Sequence, residues 1–303
     1  MKGALVRLHI AVFLWGFTGV LGRLISLSAV PLVWWRMLIT VGSLFVLLKL
    51  RKKFEVPPKK QLLQMLGIGV LIALHWVFFY ASIKYANVSI ALTCLSSAGL
   101  FTALTEPLSI RKRINVNEVM LGLIAMAGIF LIFHFDTRYR IGIILGVICT
   151  VLNSIFSVLN KRMVDHHSSS TLMFYELFGG WLFIGLIAPL YLQLFPGENK
   201  IPTLGDISWL ILMSWFCTIL AMDLSLKALK HLSAFTQNLT LNLEPVYGII
   251  LAFVVYQENK DLSPTFYLGF FLIILAVLLQ MFIVIRKQRA SEKAEAAAVS
   301  GGH

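Results

Sequence analysis

The sequence predicts an all-helical integral membrane protein, with ten transmembrane helices arranged as two inverted five-helix repeats. Composition is the first reason. Of 303 residues, 58% are hydrophobic and only 13% are charged, and the mean hydropathy is +0.85. A soluble domain carries about 25% charged residues. The second reason is segmentation into ten apolar runs. Each run is long enough to cross about 30 Å of hydrocarbon at about 1.5 Å per residue. The third is an internal repeat whose unit holds five runs, an odd number.

The first run, 8–27, follows a basic start and imitates a signal peptide. No convincing small-x-small cleavage site follows it and the chain continues at once into another span, so it reads as a retained helix. The second, 30–48, opens on Trp34 and Trp35, which suit an interfacial belt, and then Arg36. A Pro-containing basic loop, 49–61, leads to the third run, 62–83, which holds His75, Trp76 and Tyr80. The fourth, 88–110, carries Ser89, Thr93, Ser96 and Ser97, and the fifth is 117–135. The sixth, 141–160, places Thr150, Asn153, Ser157 and Asn160 at helical spacing. Glu176 lies in the seventh, 170–193, and a second Pro/Gly loop, 194–206, precedes the eighth, 207–229, with Asp223. The ninth, 234–256, contains the adjacent pair Glu244 and Pro245, and the tenth is 263–285. The polar tail 288–303 reads as a frayed helix or disordered chain.

Charge sets orientation. With the N-terminus in the cytoplasm, inside segments hold 19 Lys and Arg and outside loops 5. The positive-inside rule therefore places both termini in the cytoplasm. The net charge of +12 reflects these loops, so nucleic acid is not an expected partner. Cys94, Cys149 and Cys217 all sit inside apolar runs and read as small core residues, with no metal site and no cofactor expected. The repeat is visible in "SIKYANVSIAL" (82–92) against "ALKHLSAFTQN" (228–238), offset by 146, and in two Leu-Gly pairs offset by 147. An odd repeat must enter the membrane upside down, an arrangement typical of secondary carriers. The units are 5–135 and 140–287.

Several motifs then align with a known pattern: Trp15-Gly16, "WWRML" (34–38), "YASIKYANVSIAL" (80–92), "LGLIAMAGIFLI" (121–132), and Glu244-Pro245 followed by Glu258. Over about residues 5–287 the chain resembles the EamA family of the drug/metabolite transporter superfamily. The resemblance implies a secondary transporter of small polar metabolites, such as amino acids or related compounds. It would work by alternating access, commonly outward, in a bacterial inner membrane. One departure stands out. At the 146 offset, Glu244-Pro245 falls on Ala98-Gly99, and the other Glu-Pro pair, Glu106-Pro107, lies eight residues later.

Glu244 and Pro245 pose the sharpest local question. A carboxylate at mid-membrane costs roughly 2.5–3.5 kcal/mol, and a proline inside a helix about 3 kcal/mol. Both become tolerable if that face lines a wet path. Gln237, Thr240, Glu244 and Tyr247 share a face at 100° per residue. The alternative is a buried Glu bonded to a neighbouring helix. Asn153 and Ser157 fit a pathway or interhelical contacts equally. His75 and Asp223 fall near each other in the repeat frame and could bind a polar substrate or exchange a proton. Arg36 and Glu176 could pair across the repeats, or each could snorkel toward an interface. The expected pathway set is thus Trp15, His75, Trp76, Tyr80, Ser97, Asn153, Ser157, Asp223, Gln237, Glu244 and Tyr247. Arg36, Glu176, Pro245 and Pro107 are expected to act in structure or gating. An integral membrane enzyme is the alternative, but no HExxH, GxSxG or phosphate loop occurs in the sequence. A receptor or scaffold would need more loop or tail than this chain has. Expected partners are a small-molecule substrate, membrane lipids and a coupling proton or ion; the sequence leaves the oligomeric state open.

Overall fold

A computed structural model describes residues 2–99, 101–102, 104–105, 116–164, 167–197, 199–229 and 243–300. The described residues are helices and short connectors, with no strand among them. In chain order the helices are α1 (Lys2–Leu24), α2 (Ala29–Leu50), α3 (Lys59–Tyr85), α4 (Val88–Leu95), α5 (Val116–Phe135) and α6 (Arg140–Val164). They continue with α7 (Ser169–Leu194), α8 (Leu204–Ser214), α9 (Ala221–Leu229), α10 (Glu244–Tyr256) and α11 (Pro264–Ser300). Six stretches among the described residues are long and apolar enough to cross a membrane. Val119–His134, Glu244–Tyr256 and Pro264–Leu279 are shorter apolar helices.

Three details depart from the sequence reading. The fourth run is not one helix. It breaks at Ser96 and Ser97, whose hydroxyls bond back to the carbonyls of Leu92 (3.0 Å) and Cys94 (2.6 Å), and helical backbone resumes at residue 98. Such back-bonding offers the chain an alternative to the helical ladder. The eighth run contains a π-helical turn, Trp215–Leu220, between α8 and α9. The polar tail, read as a frayed helix or disordered chain, carries helical backbone on to Ser300.

Local chemistry starts the helices cleanly. Asn87 caps α4 by accepting the Ile90 N–H at 2.8 Å. Thr203 and Asp206 form a capping box on α8. Close crossings fix the packing. A Cβ on Gly69 of α3 would lie 1.8 Å from the Glu176 carbonyl oxygen on α7. A Cβ on Gly128 of α5 would lie 2.4 Å from the Gly269 carbonyl oxygen on α11. Backbones this near leave no room for a side chain at Gly69, Gly128 or Gly269.

Contacts between the two sequence halves are reciprocal. α3 packs on α6 and α7, as the α8–α9 run packs on α1 and α2; α4 packs on α6 as α10 packs on α1. α5 pairs with α11, and α4 with α10. One apolar core joins α1–α4, α6–α8 and α10, and a second knits α5 and α11 to α4 and α6. Outward surfaces are strongly apolar, as at Phe130 (64% exposed), Leu186 (72%) and Val254 (74%). A surface of that kind suits lipid.

One end of the bundle is tied by polar groups. Glu258, only 1% exposed, accepts from the Val88 and Ser89 amides (3.0 and 2.8 Å) and the Ser89 hydroxyl (2.6 Å), and pairs with Arg23. The Arg23 guanidinium lies 4.3 Å from the Tyr256 ring centroid, and the Tyr256 hydroxyl donates to the Val20 carbonyl at 2.7 Å. Asp206 takes the Ser26 amide and hydroxyl, both at 2.7 Å, and Lys84 donates to the Ile25 carbonyl. The opposite end, around 51–58, is held mainly by Phe54 packed on Phe174 and Tyr175, with Tyr175 donating to the Glu55 carbonyl at 3.0 Å.

Candidate functional site

Between the two halves lies a cavity of ≈ 410 Å³. Its walls come from both sequence repeats. α1 gives Trp15 and Thr18, α2 Arg36, and α3 His75, Trp76, Phe79 and Tyr80. The break after α4 gives Ser96, Ala98 and Gly99. From the second half come Asn153, Ser157 and Asn160 of α6, Glu176 of α7, Thr218 of the π-turn, and Glu244 and Pro245 of α10. Ala98-Gly99 and Glu244-Pro245, equivalent at the 146 offset, therefore line the same space.

Arg36 is 4% exposed and has no carboxylate partner among the described residues. Its guanidinium donates to the Tyr80 hydroxyl and, at 2.8 Å, to Thr218 Oγ1, and lies 3.9 Å from the Trp76 ring centroid. Those contacts hold the charge without neutralising it. Its Nε is buried without an acceptor. Tyr80 is fully buried, with its ring where a Cβ on Gly22 would lie 2.2 Å away. The expected Arg36–Glu176 pair does not form. Glu176 instead accepts from Asn160 Nδ2 at 3.2 Å.

His75 and Asp223 are likewise not brought together. His75 Nδ1 lies 2.9 Å from the Cys149 carbonyl oxygen and the ring lines the cavity. Asp223, with 47% of its side chain exposed, pairs with Lys227 one turn on at 2.6 Å. Tyr247 points elsewhere, its hydroxyl 3.3 Å from His9 Nδ1 on α1. Ser97 is buried and spends its hydroxyl on Cys94, while its neighbour Ser96 faces the cavity. Gln237 and Thr240 of the expected stripe, and Glu106 and Pro107, lie outside the described residues. Trp34 does not stand alone at an interface. Its ring centroid lies 5.9 Å from that of Trp181, and Trp35 donates to the Lys200 carbonyl at 3.2 Å.

Pro245 stands in the first turn of α10, after Leu243, whose backbone is already helical, and the stretch 230–242 before it lies outside the described residues.

Sequence reasoning missed Thr218 and the lock formed by Arg23 and Glu258. A threonine in an apolar run carries no signal for a π-turn. Arg23 did carry one, as a basic residue left inside a span with no loop to serve, and Glu258 sits where α10 ends.

Comparison with known proteins gives a consistent assignment. The family model described as the EamA-like transporter family matches twice, over residues 2–134 and 140–282. The uncharacterized transporter YwfM of Bacillus subtilis is 24% identical over 97% of this chain and 99% of its own length. An uncharacterized transporter of Clostridium kluyveri is 22% identical over 63% of each chain. A crystal structure 16% identical aligns with 93% of this chain and 98% of its own, with a TM-score of 0.61, a likeness of fold alone.

Proposed function

The chain belongs to the EamA-like transporter family, and from that premise we propose that it is a secondary carrier of small polar metabolites such as amino acids, working by alternating access. One observation carries the reading. A cavity walled by both sequence repeats holds an arginine with a spare donor and a glutamate with a spare acceptor, while one end of the bundle is tied shut by side-chain bonds. The arginine's spare donor and the glutamate's spare acceptor suit a cargo that carries both a carboxylate and an amino group. Aromatic walls from Trp15, Trp76, Phe79 and Phe156 suit an apolar side chain beside them.

The topology proposed is ten spans in two inverted repeats, with both termini in the cytoplasm of a bacterial inner membrane. The charge count of 19 against 5 supports that orientation. The Glu258 end then faces outward, and its side-chain bonds close that end, which suits export. A cysteine introduced in the 49–61 loop is expected to resist an impermeant reagent in sealed cells. Labelling from outside would overturn the orientation. Uptake of a radiolabelled mixture of amino acids into liposomes holding only this protein tests the transport reading itself. Wild-type liposomes should accumulate or exchange label. Flux equal to that of empty liposomes would refute it.

A further inference from the structure

A second cavity, of ≈ 480 Å³, lies at the tied end of the bundle and shares no wall residue with the first. α6 and α7 follow one another closely in sequence and join at the opposite end, where His167 Nε2 lies 2.9 Å from Gln61 Oε1. Both pack along α3, yet they scarcely touch each other. α3 therefore floors a cleft between them. Val77, Phe78 and Ala81 of α3 form the floor, with Leu145 of α6 on one side and Tyr191 and Phe195 of α7 on the other. Ile141 and Ile144, close to Leu145, and Leu190 and Leu194, close to Tyr191, are exposed. The cleft is thus continuous with the apolar outer face of the bundle.

Its rim is polar. Lys84 stands in the last turn of α3, and Ser26 and Ser28 come from the α1–α2 link. The Lys84 Nζ donates to the Ile25 carbonyl, and no carboxylate lies within ion-pair distance of it among the described residues. An ammonium carries three N–H donors, so its charge and further donors remain for a ligand. Asp206 is filled by the amides and hydroxyls of Ser26 and Thr203, and Glu258 by Arg23 and the α4 amides. Neither carboxylate is left to receive a cationic head group. α2 begins at the same wall, through Ala29 and Val30, and the Ser28 side chain does not cap it. First-turn amides have no intrahelical acceptor and favour an anion, which adds to the lysine.

We propose that this cleft binds an anionic phospholipid of the adjoining leaflet, its phosphodiester on Lys84 and the start of α2 and one acyl chain along Val77, Phe78 and Leu145. Depth and charge both fit that occupant. From Lys84 down to Val77 the floor runs seven residues, about 10 Å at about 1.5 Å per residue, which stays within one leaflet of roughly 15 Å of hydrocarbon. The phosphodiester brings negative charge and acceptors to the lysine and the uncapped amides. A head group ending in an ammonium would bring a second cation to a rim that has no carboxylate for it, so a glycerol head group is preferred. Lys84 and Ser26 also belong to the bonds that tie this end, so a lipid held there braces it. Under the orientation proposed above, the leaflet is the outer one.

Native mass spectrometry of the full chain, released from detergent with added phosphatidylglycerol, phosphatidylethanolamine or inorganic phosphate, tests the site. Wild type should retain one phosphatidylglycerol, bind phosphatidylethanolamine more weakly and hold no inorganic phosphate. Lys84→Gln removes the charge and keeps the cleft, and should weaken phosphatidylglycerol about tenfold, as for one charge-assisted hydrogen bond. Ala81→Trp keeps the lysine and fills the floor, and should also lose the lipid. The melting temperature of each variant without lipid reports its folding separately, and added phosphatidylglycerol should raise that of wild type alone. Equal retention of the two lipids by wild type would overturn the inference, as would phosphatidylglycerol binding unchanged in either folded variant. Inorganic phosphate held as tightly as the lipid would overturn it too, because the apolar floor would then contribute nothing. A dimer in place of a lipid adduct, dissolved by Ala81→Trp, would assign the cleft to a second copy and sink the lipid site. None of these measurements reads transport, so they decide the site whether or not the carrier reading stands.

Discussion

The two sequence repeats build one scaffold and furnish it with different chemistry. The first half brings a guanidinium and aromatic rings to the cavity, through Arg36, Trp76 and Tyr80. The second brings amides and carboxylates, through Asn153, Asn160, Glu176 and Glu244. At equivalent positions Ala98-Gly99 and Glu244-Pro245 line the same space. Reciprocal packing of the helices preserves the fold, so the side chains at the seam are free to diverge. The outcome is a cavity with a cationic wall and an anionic wall.

The largest effect should come from erasing the cationic wall. Arg36→Leu removes the charge and leaves Tyr80 and Thr218 without their donor. Uptake of the labelled amino-acid mixture is expected to fall by at least about tenfold, equivalent to ~1.4 kcal/mol in the barrier. Arg36→Lys should not restore it, since a lysine cannot make both bonds and stack on Trp76. Full activity in the lysine variant would mean that only a point charge is needed.

Next comes the junction that joins the halves at one end. Glu258→Gln weakens four charge-assisted contacts at once, from Arg23, the Val88 and Ser89 amides and the Ser89 hydroxyl. A loss of roughly 1.5–3 kcal/mol is expected, seen as a lower unfolding temperature. A cysteine placed at Ser96 should also become more reactive toward reagent from that end. An unchanged melting temperature would show that the lock contributes little.

Smaller effects belong to the α10 start. Glu244→Gln keeps the shape and removes one charge from the anionic wall, so uptake should fall less than in Arg36→Leu. Pro245→Ala should change stability by less than about 1 kcal/mol, because the proline sits in a first turn. A large loss in the alanine variant would restore the view of Pro245 as a kink. Ala98→Glu combined with Glu244→Ala moves the carboxylate to its symmetry mate, and residual uptake in the double variant would show that either half can carry it.

The fold was legible because it depends on averages. Apolar runs, loop charges and an odd repeat are summed over many residues, and the reciprocal packing agrees with them. The family was legible from motif order. The partners of single side chains were not. Arg36 and Glu176 could pair across the repeats or snorkel, but Tyr80 and Thr218 engage the one and Asn160 the other. The Asp223–His75 idea failed similarly, since Lys227 lies one helical turn from the aspartate. Helix continuity was the other blind spot. Ser96 and Ser97 interrupt the fourth run, and hydropathy alone reads straight through such breaks.

Those interruptions have an electrical consequence. α4 enters from the Glu258 end and stops at the cavity with its C-terminus, while α10 starts at the cavity with its N-terminus and leaves toward the same end. The two short helices lie side by side and antiparallel. A helix terminus behaves like roughly half an elementary charge, positive at the N-terminus and negative at the C-terminus. The backbone therefore delivers a fixed pair of opposite poles into the space between Ser96 and Glu244. That field requires no ionisable side chain, so it persists at every pH and in every charge-neutralising variant. A cargo with separated charges would be turned into one orientation before any side chain touched it.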